Sequence, residues 1–340
     1  MKSYESLIKE NINIEHLVEK STADFEKFVR AELEELFDQF LPKNSRIESA
    51  MYDSIEGGKR LRSLSTVLFY RMHGGKEDDI YKIAAAIELI HCTSLVVDDI
   101  IDNRDFRPDR NIASVQGKYS RMEAFGVAWL DILYSTHLLY KATDSLDSKT
   151  KNQMREKFVK YVTEGGVGQL LKWQTTQIRE LPSKKQYWDN YLGPTAGLFF
   201  QMSAELGALL AQKDSKTVTE TGKLGYKIGL LLQAGDDLKD LVDDIRDGFY
   251  SLSVINYYDS LSAKEKKNFK SKLNFFLREK EIQDIYLKLL KSKSMTKTSK
   301  EITILGNEII RQIKKYPDTP EKKMLISLVI YLKDRMEIKS

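Results

Sequence analysis

The stretch "SLVVDDIIDNRDFR", residues 94–107, sets Asp98, Asp99 and Asp102 at the end of an apolar run and follows them with arginines. On a helix Asp98 and Asp102 lie a turn apart on one face, and Asp99 points about 100° round. Unscreened, such a pair repels. Two chemistries fit. Either a helix end gives its acids to water, or the acids hold a divalent cation. Mg²⁺ in particular takes one or two carboxylates and completes its shell with water and substrate phosphate. Arg107 suits the second reading, because a guanidinium grips phosphate through two parallel bonds. A second stretch decides between them. "LLLQAGDDLKDLVDD", residues 230–244, repeats the arrangement, with Asp236 and Asp240 four apart, Asp237 beside the first and an apolar lead-in. Two such helices facing one another set two carboxylate clusters across one cavity, a geometry for several Mg²⁺ ions against a diphosphate. Asp243, Asp244 and Asp247 read as solvent-exposed or turn residues.

The elements that must position these groups are helices. In "STADFEKFVRAELEELFDQFLP", residues 21–42, Ser21 caps, Phe25, Phe28, Val29, Leu33, Leu36, Phe37 and Phe40 recur at helical spacing, and Pro42 stops the run. Comparable patterns cover 79–102, 120–142, 150–179, 196–212, 218–244, 263–279, 298–315 and 320–337, while strand-like alternation is hard to find. Glycine and proline mark joints at "HGGK", "ELPSKK", "LGPT", "RDGFY" and "YPDTP". No linker separates two domains, so the expectation is one all-α domain over 1–340, a single-domain bundle of long helices around a central cavity. "LKSKSMTKTSKE", residues 290–301, is expected to be a mobile surface connection, its lysines solvated.

Composition narrows the partners. With 54 basic and 50 acidic residues and a net charge of +4, no dedicated nucleic-acid surface is expected. Cys92 is the only cysteine, which excludes intrachain disulfides and a multi-cysteine zinc site. Cys92 itself reads as core packing. The first residues lack the apolar segment of a secretion signal, and no stretch of 18 uncharged apolar residues marks a transmembrane span. A cytoplasmic protein is expected.

With both aspartate clusters in place, the chain resembles the trans-isoprenyl diphosphate synthase family over about residues 50–260. "GGKRLRS", 57–63, is similar to the family's basic site for isopentenyl diphosphate, and the resemblance implies that Lys59, Arg62 and His91 bind that substrate. It further implies an isoprenoid synthase-like fold, Mg²⁺ at Asp98, Asp99, Asp102, Asp236, Asp237 and Asp240, about three ions with substrate bound, and an allylic diphosphate as second substrate. Asp98, Asp102, Asp236, Asp240 and Arg107 are the implied catalytic set. Gln233 matches the glutamine before the second motif, Thr195 the threonine of a Lys-Thr pair and Gln169 the glutamine of a glycine-containing helix. The implied chemistry is ionisation of the allylic diphosphate, attack by the double bond of isopentenyl diphosphate and loss of a proton. Stabilisation of the leaving diphosphate is its main term, and exclusion of water protects the cation.

Three basic groups of the family pattern are missing. Pro108 stands for the second arginine after the first motif, Pro194 for the lysine before Thr195, and Phe249 for a lysine after Gly248. Arg104, Arg110, Lys239 and Arg246 lie close by in sequence as candidate substitutes, although most such basic residues are surface ones. Gly193-Pro194 is expected to break a helix and leave Thr195 at the start of the next, where amide groups favour an anion. The losses keep two alternatives open: a terpene cyclase on the same scaffold, or a weakly active partner subunit of a heteromeric synthase. Lys59, Arg62 and His91 count against the first, the intact acids against the second. Thr93 and Ser94, small residues where the family places a floor, predict a product of about twenty carbons or more unless Trp129 or Phe125 fills the tunnel by packing volume. The helix at 120–142 is a reasonable homodimer interface.

Overall fold

A computed structural model of the chain describes residues 42–107 and 111–334, together with Lys27, 30–32, 34–36 and 38–40. The molecule is all-α, as the periodicities predict. Its described residues fall into two compact units, one drawn from 1–162, 202–221 and 319–321, the other from 163–201, 222–318 and 322–340. Of the 21–42 helix, the described positions from 27 to 40 are helical and Leu36 is buried, while Phe40 is exposed. Ser21, Phe25, Phe28, Val29, Leu33 and Phe37 lie outside the described residues, as do Pro108 and Arg110.

The first unit holds α1 (Arg46–Ser54), α2 (Leu61–Met72), α3 (Asp79–Ile101), a hairpin of β1 (Phe106–Arg107) and β2 (Ile112–Ala113), α4 (Val115–Lys118) and α5 (Arg121–Thr143). Serines start several of these. The Ser45 hydroxyl accepts from the Glu48 amide and Ser120 from the Glu123 amide, each satisfying an amide that has no partner within its helix. α3 is apolar nearly all round, which requires burial, and it packs against α2 and α5. Its length and composition would also suit a membrane span, but 67% of its apolar window is buried among the protein's own helices. It is a core helix, and Cys92 is buried within it. α5 packs on it and buries Ala124, Val127, Ala128, Tyr134 and Leu138, while Phe125 and Trp129 stay 52% and 70% exposed. Those two aromatics are neither core nor plug.

α6 (Ser148–Ile178) contributes to both units, followed by α7 (Lys184–Gln186), a π-helix (Tyr187–Gly197), α8 (Leu198–Leu210) and α9 (Ser215–Lys239). The second unit continues with α10 (Leu241–Asp247), α11 (Leu252–Ser260), α12 (Ala263–Leu273), α13 (Glu279–Lys291), α14 (Ser294–Ile313) and α15 (Pro320–Asp334). Three expectations are corrected. The 263–279 pattern is helical only to Leu273. The lysine-rich 290–301 stretch is mostly the first turns of α14, because Ser294, Met295 and Thr298 are buried and the Asn256 amide donates to the Thr298 hydroxyl at 2.9 Å. Its lysines stay exposed.

The third correction falls at "LGPT". No break occurs there, and Thr195 does not begin a helix. Pro194 sits inside the π-helix, whose wide turns close from the Leu198 amide to the Gly193 carbonyl, and the Thr195 hydroxyl donates to the Tyr191 carbonyl at 2.6 Å. A wider ladder tolerates a residue that has no N–H. Gly168 on α6 makes room for the ring: a Cβ there would lie 2.2 Å from the Pro194 Cβ.

Candidate active site

Along one face of α3, at steps of three and four, run Glu88, His91, Leu95, Asp98 and Asp102. His91 and Asp98 are two turns apart, roughly 10 Å by helix rise. The face ends where the helix ends. Asp102 caps α3 through its amide, bonded to the Asp98 carbonyl at 2.8 Å, and Asn103 turns the chain in the left-handed region at φ 53°. The loop then folds back through the hairpin, in which Phe106 pairs with Ala113 and Arg107 with Ile112. Gly117 lets it close, since a Cβ there would sit 2.0 Å from the Asp105 carbonyl oxygen. Ser114 and Gln116 donate to the Arg104 and Asp99 carbonyls at 2.7 and 3.0 Å.

The three acids of the first motif therefore differ. Asp98 is half-buried and Asp102 is exposed, its carboxylate 3.4 Å from the Arg104 guanidinium. Asp99 is buried and paired with Arg107, whose Nε donates to Asp99 Oδ2 at 2.7 Å. Sequence reasoning gave Arg107 to phosphate and Asp99 to metal. In the fold they hold each other and tie the hairpin to the helix end.

The basic turn precedes α2. Gly57 and Gly58 take φ of 74° and 92°, a left-handed path that favours glycine, and Arg60 follows at φ 50°. Lys59 is exposed and Arg62 half-buried, with Arg62 Nη1 3.0 Å from His91 Nε2. Two residues expected to share a substrate thus meet. Arg60 was not singled out from sequence, yet it is the anchor. It is buried and ion-paired with Glu88 at 3.2 Å, donates to the Ile55 carbonyl, and shares Glu88 with the Ser63 hydroxyl. The available signal was Glu88 itself, an acid within an otherwise apolar helix.

The second motif ends α9. Gln233, Asp237 and Asp244 follow one another at steps of four and seven on one helical face, which α10 continues after a turn at Asp240. Asp237 is buried, accepting from the Tyr187 hydroxyl at 2.8 Å and from the Gln233 amide at 2.9 Å. Burial pushes its carboxyl up to about 6, against the pull of Lys172, Gln233 and Tyr187. Burial, with the Asp237 charge added, pushes Asp244 well above the usual carboxylate range, and its Oδ2 is buried with no hydrogen-bond partner. Asp244 is thus no bystander, contrary to the sequence reading. Asp236 is half-buried, Asp240 exposed, and Asp243 exposed and paired with Arg246.

The less buried acids, Asp98 and Asp236 half-buried and Asp102 and Asp240 exposed, give each motif two carboxylates four residues apart, a donor set that fits Mg²⁺. Among the described residues no group of three or more His, Cys, Asp or Glu side chains is gathered to hold a metal alone. Of the remaining expected residues, Gln169 and Thr195 are half-buried. Of the candidate substitutes for the missing basic groups, Arg104, Lys239 and Arg246 are exposed. Lys172, which sequence reasoning passed over, is a basic group whose charge favours the ionised forms of Asp237 and Asp244.

The sequence profile of the Polyprenyl synthetase family matches residues 44–287. A geranylgeranyl diphosphate synthase of Saccharolobus solfataricus is 27% identical over 293 residues, which span 82% of this chain and 86% of that one. Component 2 of a heptaprenyl diphosphate synthase from Geobacillus stearothermophilus is 29% identical over 193 residues, 57% of each chain. The crystal structure of a decaprenyl diphosphate synthase from Rhodobacter capsulatus superposes with a TM-score of 0.80 at 20% identity, covering 94% of this chain and 99% of the other. The fold is the all-α isoprenoid synthase fold.

Proposed function

This chain belongs to the polyprenyl synthetase family, and from that premise we propose a Mg²⁺-dependent prenyltransferase that joins isopentenyl diphosphate to an allylic diphosphate, giving trans-polyprenyl diphosphates of about twenty carbons or more. The observation that carries this reading is the contact at 3.0 Å between Arg62 of α2 and His91, which lies on the helix that ends in Asp98 and Asp102. A basic diphosphate site two turns from a carboxylate site suits a reaction that brings two diphosphates together, and a cyclase has no use for it.

In this reading Lys59, Arg62 and His91 hold isopentenyl diphosphate. The acids Asp98, Asp102, Asp236 and Asp240 hold the metal and, through it, the allylic diphosphate. Asp99 and Asp237 orient those helix ends through Arg107 and through Tyr187 and Gln233. Bound there, Mg²⁺ supplies Lewis-acid neutralisation of the departing diphosphate. Thr93 and Ser94 leave length to the growing tail, since both are small and turn their hydroxyls to their own helix, onto the Leu89 and His91 carbonyls. A cytoplasmic location belongs to the same reading.

The test is one incubation series of purified protein with Mg²⁺ and dimethylallyl, geranyl, farnesyl or geranylgeranyl diphosphate, with and without isopentenyl diphosphate. Longer diphosphates only when isopentenyl diphosphate is present are expected. Hydrocarbons or alcohols formed without it would make the protein a cyclase. No product from any allylic substrate would leave it a subunit that needs a partner, as the name of the Geobacillus relative suggests for that protein.

A homodimer through α5 is part of this proposal. Met122, Phe125, Trp129, Leu133 and Tyr140 are exposed on this helix at mostly three- and four-residue steps, a larger apolar stripe than a lone chain keeps in water. Phe125→Asp combined with Trp129→Asp is expected to halve the sedimenting mass. A wild-type chain that sediments as a monomer at micromolar concentration overturns the interface.

A further inference from the structure

Pro194 and Phe249, which stand where the family pattern has lysines, both neighbour one face of α6. Gly168 packs on Pro194, closely enough that a Cβ would meet the proline ring. One turn further along that face is Lys172, half-buried, with its Nζ 4.7 Å from the centroid of the Phe249 ring. Phe249 is itself buried, with Tyr191 edge-on at 6.0 Å and Tyr187 at 6.4 Å. Tyr187 in turn donates to Asp237 at 2.8 Å. A cation over an aromatic face, with its carbon stem along apolar surface, is held in direction as well as place.

We propose that Lys172 supplies the fixed positive charge for the allylic diphosphate that Pro194 and Phe249 cannot, delivered from α6 and oriented by the Phe249 ring. Phe249 is then a platform for a relocated lysine as well as the loss of one. The ring that Lys172 faces is linked to the second acidic motif through Tyr187, which stands 6.4 Å from Phe249 and donates to Asp237. The inference rests on the prenyltransferase reading for the identity of the anion, while the anion site itself can be tested apart from turnover.

The experiment compares wild type with Lys172→Met, Lys172→Arg and the double variant Lys172→Met with Phe249→Lys. Steady-state kinetics with each diphosphate and titration calorimetry with inorganic pyrophosphate and Mg²⁺ give independent readouts. Lys172→Met is expected to raise both the allylic KM and the pyrophosphate Kd about tenfold or more, the scale of one lost charge-assisted contact, with the isopentenyl diphosphate KM nearly unchanged. Arginine at 172 retains most of the affinity, and lysine at 249 restores part of it. An allylic KM and pyrophosphate Kd within about twofold of wild type in Lys172→Met would overturn the proposal. A fall in melting temperature without that split would also overturn it, making Lys172 only a counter-charge to Asp237 and Asp244. If wild type makes no product but pyrophosphate binding still depends on Lys172, the anion site stands and the prenyltransferase reading fails.

Discussion

Asp98→Ala and Asp236→Ala are each expected to slow turnover by about 10²- to 10⁴-fold with the melting temperature held within a few degrees. Both residues are half-buried at helix ends, so truncation opens no hole in the core. Asp99 and Asp237 are instead buried, bonded to Arg107 and to Tyr187 and Gln233. Removing Asp99 or Asp237 should therefore cost stability and turnover together. Product formation at saturating Mg²⁺, alongside thermal unfolding, separates the two classes. Wild-type turnover in either alanine variant at 98 or 236 would end the metal assignment for that helix.

The second large effect is on stability. Arg60→Met is expected to cost about 3–5 kcal/mol in urea unfolding, because Glu88 would remain as a buried charge without its guanidinium. Both side chains are almost completely buried, at 6% and 4% exposed, and the Ser63 hydroxyl alone cannot replace the ion pair. Replacing both partners, Arg60→Met with Glu88→Leu, should recover most of the loss, since matched apolar groups remove the stranded charge. The single variant should also weaken isopentenyl diphosphate binding, for Arg60 anchors the turn that carries Lys59 and Arg62. An unchanged urea midpoint in Arg60→Met would show that the pair contributes nothing to holding that turn.

Much of this protein could be read along the chain. Where apolar residues return every three or four positions and serines stand before them, the helix follows from the chain's own period and caps, as in α3 and α5. The two aspartate motifs and the basic turn were equally legible, since four-residue spacing sets two carboxylates on one face in any helix, and left-handed turns call for glycine at 57 and 58. These are local rules, set by neighbours a few residues away.

Partner choice was decided only in three dimensions. Asp99 and Asp98 are adjacent and chemically identical, yet the hairpin brings Arg107 to one of them. Asp244 read as a surface acid until the end of α9 and α10 aligned it with Asp237 in a dehydrated place. Pro194 read as a helix breaker, and the π-helical turn that absorbs it depends on a glycine of α6 lying against its ring. Lys172 carries no motif at all; an aromatic residue seventy-seven positions later gives it direction. In each case the deciding contact crosses many residues, and its energy depends on packing and dehydration that no short window of sequence contains.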